Sequence, residues 1–492
     1  MAGYSDFWLT RFVFQRGLGL VYLIGFVVAL NQFRPLLGER GLLPVPVFIR
    51  QVPFLEAPSL FHFIAKDMAF TAAAWAGIFL SGLAVTGLSD RYSLWFSVVI
   101  WAGLWVLYLS FVNVGQTFYA FGWESILLEA GFYAIFLGPS RVAPPKLVIW
   151  MLRWLLFRVM FGAGLIKLRG DPCWRDLSCL DYHYETQPMP NPLSWYLHWA
   201  PAWTHRAGVL FNHFAEVVVP FGYFFAGPVG VTAGILTLLY QGLIFASGNL
   251  AFLNFLTMVL SIAVLNDRFL RALIPAPVLA AILPLGQPGP PGSLLQAAWL
   301  IVTLITAALS VAPILNMLSP RQVMNTSYNP LHLVGTYGAF GGITRTRFEV
   351  VIEGTDEPVV MASTVWREYE FKGKPGDPRR RPSQIAPYHL RIDWLMWFAA
   401  MSGYQEHPWF VHLVIKLLQG DADTLRLFRT NPFPGSPPRF VRAELYEYHF
   451  SSPEERQKTG RWWDRGLAGE YFPPVSLQNS ALQHLLVAEG WQ

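Results

Sequence analysis

Three long stretches of this chain carry no Asp, Glu, Lys or Arg: Tyr92 to Trp123, Val217 to Asn266, and Ala272 to Pro320. A helix surrounded by hydrocarbon needs roughly 20 consecutive, mostly apolar residues. A soluble core has no use for charge-free runs of this length. The composition agrees, with 53% hydrophobic and only 14% charged side chains. Apolar segments near residues 15–33, 68–88, 94–114, 123–138, 147–168, 207–226, 230–247, 250–265 and 294–316 are read as spans, giving about eight or nine passes. Pro275 to Leu285 is too short to cross and leads into "GQPGPPGS", so an interfacial or re-entrant piece followed by coil is expected there. The amino terminus lacks a short apolar core with a small-residue cleavage site, so the first apolar run is expected to stay as a helical anchor.

If every span crosses, Arg11, Arg16, Arg91, Arg141, Lys146, Arg268 and Arg271 fall on one side, which the positive-inside rule makes cytoplasmic. The amino terminus then lies in the cytoplasm. The loop at 169–206 and everything from Met317 onward face a periplasm, lumen or cell exterior. The net charge of +5 does not call for a nucleic-acid partner, because inside-loop anchoring supplies it and the basic residues form no repeated clusters.

Beyond Met317 the texture changes to short alternating runs, more charge and frequent turn residues. The chain therefore divides into a transmembrane helical domain, 1–316, and an extracytoplasmic α+β domain, 317–492. "TRTRFEVVIEG" alternates as a strand, and "VVMASTVWREYEFKG" returns from the "TDEP" turn to make an antiparallel hairpin. "LRIDWLMWFAAMS" and "PWFVHLVIKLLQG" have helical spacing, and "PPRFVRAELYEYHFS" reads as a further strand. The fold class is an all-α polytopic bundle bearing a small antiparallel sheet in its C-terminal part.

Charges inside apolar spans usually face a bundle interior or cavity. Glu124, Glu129, Arg153, Arg158, Lys167, His213 and Glu216 are the candidates. At about 100° per residue, Arg153 and Lys167 share one helix face and Arg158 points away from them. Lys167 could snorkel while Glu129 or Glu216 pairs with an arginine to lock helices together, bind a ligand or lipid headgroup, or act as a desolvated base. The two cysteines, Cys173 and Cys179, lie in the 169–206 loop, where a structural bridge is the default expectation. With His183 and His198 they match no closed metal site, so no metal and no cofactor are expected. Asn325-Thr326-Ser327 is formally a glycosylation acceptor. Nucleotide loops, nucleophile elbows and His-Glu-x-x-His are absent from the sequence.

Several long stretches resemble the lipase maturation factor family of polytopic membrane proteins. They are "NQFRPLLGERGLLP", "FRVMFGAGLIKLRGDPCWRDLSCLDYHYETQPMPNPLSWYLHWAP", "SGNLAFLNFLTMVL", "TYGAFGGITRTRFEVVIEGT", "WREYEFKGKPGDPRRRPSQIAPYHLRIDWLMWFAA" and "NPFPGSPPRFVRAELYEYHF". In animals that family implies an endoplasmic-reticulum protein helping dimeric lipases reach their active state, its C-terminal domain engaging the client in the lumen. Compactness and the low cysteine count suit a bacterial member in an inner membrane. The resemblance thus implies a chaperone-like maturation factor, not an enzyme, with a lipase or other exported enzyme and the bilayer as partners. Client contacts are expected at Tyr337, Phe340, Arg345, Arg347, Trp366, Tyr369, Arg391, Trp394 and Arg439. A more distant similarity joins "GAGLIKLRGDPCW" to the vitamin K-dependent carboxylase-like bundle. It would make Lys167 a general base and the chain a membrane enzyme. A plain membrane scaffold is the third reading.

Overall fold

The computed structural model describes residues 7–283 and 288–488. Residues 284–287, which include the start of the proline-rich coil, lie outside the described residues, as do 1–6 and 489–492. The membrane part is built from α1 (Trp8–Leu37), α2 (Asp67–Thr86), α3 (Leu94–Asn113), α4 (Gly122–Ile135), α5 (Lys146–Arg169), α6 (Cys179–Thr186), α7 (Ala202–His213), α8 (Pro228–Ser247), α9 (Leu253–Ser261), α10 (Ser293–Leu309) and α11 (Val311–Leu318). The C-terminal part adds α12 (Arg391–Ala399) and α13 (Pro408–Leu418).

Among the described residues, six helices are long and apolar enough to cross a membrane: α1, α2, α3, α5, α8 and the α10–α11 pair. A seventh is possible if Leu253–Val264 and Asp267–Leu273, bent by 118°, make one span. This is fewer than the eight or nine expected, and the reasons are local. The 14 residues of α4 rise only about 21 Å, short of a bilayer core. The 207–226 segment breaks after His213 into a π-helical turn, Phe214–Val218, and a 3-10 turn, Val219–Phe224, containing Pro220. The 250–265 segment ends in the sharp bend. Of the stretch from Pro275 to Leu285, the described residues form a seven-residue helix, Ala276–Ile282, and residues 284 and 285 lie outside the described residues.

One end of the bundle gathers the start of α1 with the loops near 90, 140 and 267. Trp8 Nε1 donates to Ser140 O at 3.0 Å, Arg11 to Val142 O at 2.8 Å, and Arg16 pairs with Asp90 at 2.6 Å. Asp267 caps α1 by accepting from the Leu9 and Thr10 amides, both at 3.0 Å. The C-terminal part sits on the opposite end. There Gln32 Nε2 donates to His389 O at 2.7 Å, and Arg34 pairs with Asp423 at 2.5 Å.

The sheet of the C-terminal part has four antiparallel strands, β1 (Arg347–Thr355), β2 (Arg367–Glu368), β3 (Phe440–Phe450) and β4 (Trp463–Val475), in the order β2-β1-β3-β4. The hairpin β1–β2 and the strand β3 follow the alternation in the sequence. β4 was not legible because Gly466, Gly469, Pro473 and Pro474 interrupt its pattern, and its ladder with β3 shifts register. A second, two-stranded sheet pairs Glu370–Phe371 with Phe428–Thr430.

One apolar core runs through both parts, from Phe14 and Tyr108 in the bundle to Trp394, Phe410 and Phe472. The short α4 crosses it with two buried carboxylates. Glu124 accepts from Arg391 Nη1 at 2.8 Å and from Tyr108 Oη, while Arg391 lies over the Tyr119 ring and donates to Phe118 O at 2.7 Å. Glu129 takes Arg158 from α5, Tyr133 Oη at 3.0 Å and Tyr337 Oη at 2.7 Å. Removing one partner of a buried pair strands the other charge. Arg391→Met should therefore cost about 3–5 kcal/mol, and Glu124→Gln with Arg391→Met should recover most of it, read as melting temperature in detergent.

Candidate functional site

The C-terminal end of α5 reads "FGAGLIKLRG", and its small residues decide what can lie against it. A Cβ at Gly162 would come within 2.4 Å of Tyr337 O, and one at Gly170 within 2.2 Å of Gly341 O. The segment Tyr337–Gly342 is thereby laid directly on α5. It is held further by Asp171 N donating to Gly341 O at 2.8 Å and Trp174 Nε1 donating to Phe340 O at 2.8 Å. Arg345 reaches back to both Asp171 oxygens at 2.8 and 3.0 Å, and these bonds lower the Asp171 carboxyl to about 2. Cys173 and Cys179 are joined as a disulfide, buried with Trp174, Val209 and Ile343.

Between α5, the α7 region, α8, α9, α12 and this strap lies a cavity of about 570 Å³. Phe121, Trp123, Ile126, Met160, Trp394 and Phe398 give it apolar walls. Lys167 opens onto it and is only 4% exposed. Its Nζ donates to Glu216 Oε1 at 2.7 Å, Glu216 Oε2 at 2.8 Å and Asn212 Oδ1 at 2.8 Å. Tyr240 Oη closes the cluster on Glu216 Oε1 at 2.8 Å and Asn212 Oδ1 at 2.5 Å. The π-helical turn puts Glu216 there. A general base needs a lone pair, and an amine donating to three oxygens has none to offer.

Arg153 and Lys167 do share a face: Arg153 donates to Ala263 O and Tyr223 O, whereas Arg158 turns to Glu129. Sequence reading missed Asn212, Tyr240, Gln241 and Asn254, uncharged polar groups inside apolar runs. The spacing of Asn212 and Glu216, four apart on one helix face, was the available signal.

The expected client contacts divide. Tyr337, Arg347, Tyr369, Arg391 and Trp394 are buried and so present no surface to a client. Arg347 is a strut, pairing with Glu349 at 2.5 Å and donating to the Glu185, Gln187 and Pro188 carbonyls. Tyr369 packs on Phe428 and Phe433, and Trp394 on Phe121 and Trp123. Burying the aromatic rings is favourable, and the buried arginines each have a carboxylate partner, so their burial leaves no charge unpaired. Arg345 and Arg439 reach the surface, and Phe340 and Trp366 are partly buried, the latter under the Arg442 guanidinium.

Two family models align with this architecture: one described as the lipase maturation factor transmembrane domain matches residues 9–272, and one described as its C-terminal domain matches 333–473. Lipase maturation factor 1 of Homo sapiens is 45% identical, covering 99% of this chain and 91% of its own length. The chain belongs to the lipase maturation factor family. Lipase maturation factor 1 of Mus musculus is 44% identical over 96% of this chain and 88% of its own length. Lipase maturation factor 2 of Homo sapiens is 30% identical over 98% and 85%. No solved structure matches. Nothing among these findings supports the carboxylase-like reading of Lys167. In this member of the family, Lys167→Met should destabilise by about 3–5 kcal/mol, because Glu216 stays buried and unpaired. Lys167→Met with Glu216→Gln should regain most of that loss in the same thermal unfolding measurement.

Proposed function

We propose that this chain is a membrane-embedded maturation factor that helps secreted or exported lipases reach their active fold. The observation that carries the reading is the match of both halves of the chain, in order, to relatives named lipase maturation factors. The C-terminal part offers a surface suited to an incompletely folded client. β4 is an edge strand 13 residues long, with Gly466, Leu467 and Ala468 exposed along it. Unpaired N–H and C=O groups on such an edge can add a strand from another chain. Exposed Val359, Met361 and Val365 border the sheet at the β1–β2 turn, near Trp366 and Arg439. Phe340 and Arg345 stand at the other end of β1. These four residues are the client contacts retained.

Two independent features support one orientation in the membrane. Arg16 and Arg91 are near the end that holds the α1 start, and the Cys173–Cys179 bridge is near the other. Basic loops favour the cytoplasm and disulfides persist outside it, so the C-terminal part faces a lumen or periplasm. In sealed cells or vesicles, an impermeant maleimide should reach Lys458→Cys and Arg91→Cys from opposite sides of the membrane.

The function is tested by expressing a secreted lipase in cells lacking this chain and restoring wild type or variants. Wild type should raise lipase activity per unit of secreted lipase mass. Leu467→Asp, an exposed change that spares the core, should lower that ratio by about fivefold if the edge strand is a contact. An unchanged ratio between empty cells and wild type would end the reading.

A further inference from the structure

The cavity beside Lys167 has walls, volume and polar groups that pairing among its own residues does not account for. At about 570 Å³ it falls within the ~300–1,000 Å³ range of small-molecule sites. Its charged group is internally balanced: Lys167 is matched by Glu216, and Asn212 and Tyr240 complete the cluster. No spare charge remains there to hold a carboxylate, a phosphate or a cation. Polar capacity does remain. His183 lines the cavity from α6, touches Phe340 and Tyr184 through its ring, and has no hydrogen-bond partner among the described residues for either nitrogen. Burial first, and then the charge of Lys167, lower His183 to about 4, so the ring is neutral and offers one donor and one acceptor. Deeper in the wall, Asn254 is 2% exposed. Its amide donates to Gln241 Oε1 at 2.7 Å, while its Oδ1 has no partner. An unsatisfied buried carbonyl of this kind is costly unless something supplies a donor.

Access also has a direction. Leu243 lines the cavity yet is 52% exposed, and it belongs to α8, one of the membrane-crossing helices. An exposed rim on such a helix gives an amphiphile a way in from the bilayer, while Met324, Asn325 and Phe398 line a second exposed rim on the C-terminal part.

We propose that this cavity holds one uncharged, hydroxyl-bearing membrane lipid, its hydroxyl at His183 and its apolar body among Trp123, Met160 and Trp394. A hydroxyl both donates and accepts, which suits a neutral imidazole, and a neutral amphiphile asks nothing of the already paired lysine. The occupant is set by the cavity itself, and the inference does not depend on which client the C-terminal surface meets.

The test uses the full chain in detergent with a diazirine analogue of 1-oleoylglycerol as the probe. Photolysis should label wild type, and peptide mapping should place the label on α5, α6 or α12. Unlabelled 1-oleoylglycerol should compete, and oleate and dioleoylphosphatidylcholine should not. Ala163→Phe, which fills the cavity, should abolish labelling, and His183→Ala should weaken competition by about fivefold, the effect of one hydrogen bond. Native mass spectrometry of unlabelled wild type provides a second reading that needs no variant: a retained neutral glyceride or other hydroxylated lipid supports the proposal. Labelling untouched by Ala163→Phe in a protein of wild-type melting temperature overturns it. So does preferential competition by oleate or by the phospholipid, or an absence of labelling above that of an unrelated membrane protein.

Discussion

The two buried carboxylates of α4 are the constraint on which the rest of the structure depends. Glu124 and Glu129 are five residues apart, about 140° around the helix, so they point to different neighbours. Glu124 reaches Arg391 in the C-terminal part, and Glu129 reaches Arg158 in α5 and Tyr337 in the strap. An unpaired carboxylate in this interior would be prohibitively costly. Glu124 therefore finds its cation only when the C-terminal part docks, while Glu129 is matched within the bundle and adds the strap through Tyr337.

The strap carries that coupling to the cavity. It lies on α5 only because Gly162 and Gly170 leave room for its carbonyls, and it is tied again by the Asp171–Arg345 pair beside the disulfide. The Lys167 cluster is built within the bundle, and the cavity walls around it are completed by the strap and by Trp394 and Phe398 of the C-terminal part.

Much of this was legible before any coordinates. Charge-free runs located the apolar segments, and the Arg153–Lys167 spacing placed two cations on one face. Alternation found β1 and β3. What failed did so for physical reasons. Hydropathy counts apolar residues and cannot tell a span from a buried short helix such as α4. Nor does it register a break made by Pro220 and a π-helical turn. Arg391 reads as a surface charge because its partner, Glu124, is distant in sequence, and Arg347 does so because, beside its near neighbour Glu349, the Glu185, Gln187 and Pro188 carbonyls that enclose it come from far along the chain.

By itself, the sequence determined that this chain is a multi-pass helical membrane protein with a mixed C-terminal part, and that it resembles the lipase maturation factors. Those properties follow from hydrophobic run length, local alternation and long shared motifs, all of them readable along the chain. Only the tertiary structure decided which buried charges pair, that Lys167 is held by Glu216, Asn212 and Tyr240, and that five of nine expected contacts are interior. The physical reason is that the burial and pairing of a polar group depend on neighbours brought from elsewhere in the chain. In this fold those neighbours lie as far apart as Glu124 and Arg391.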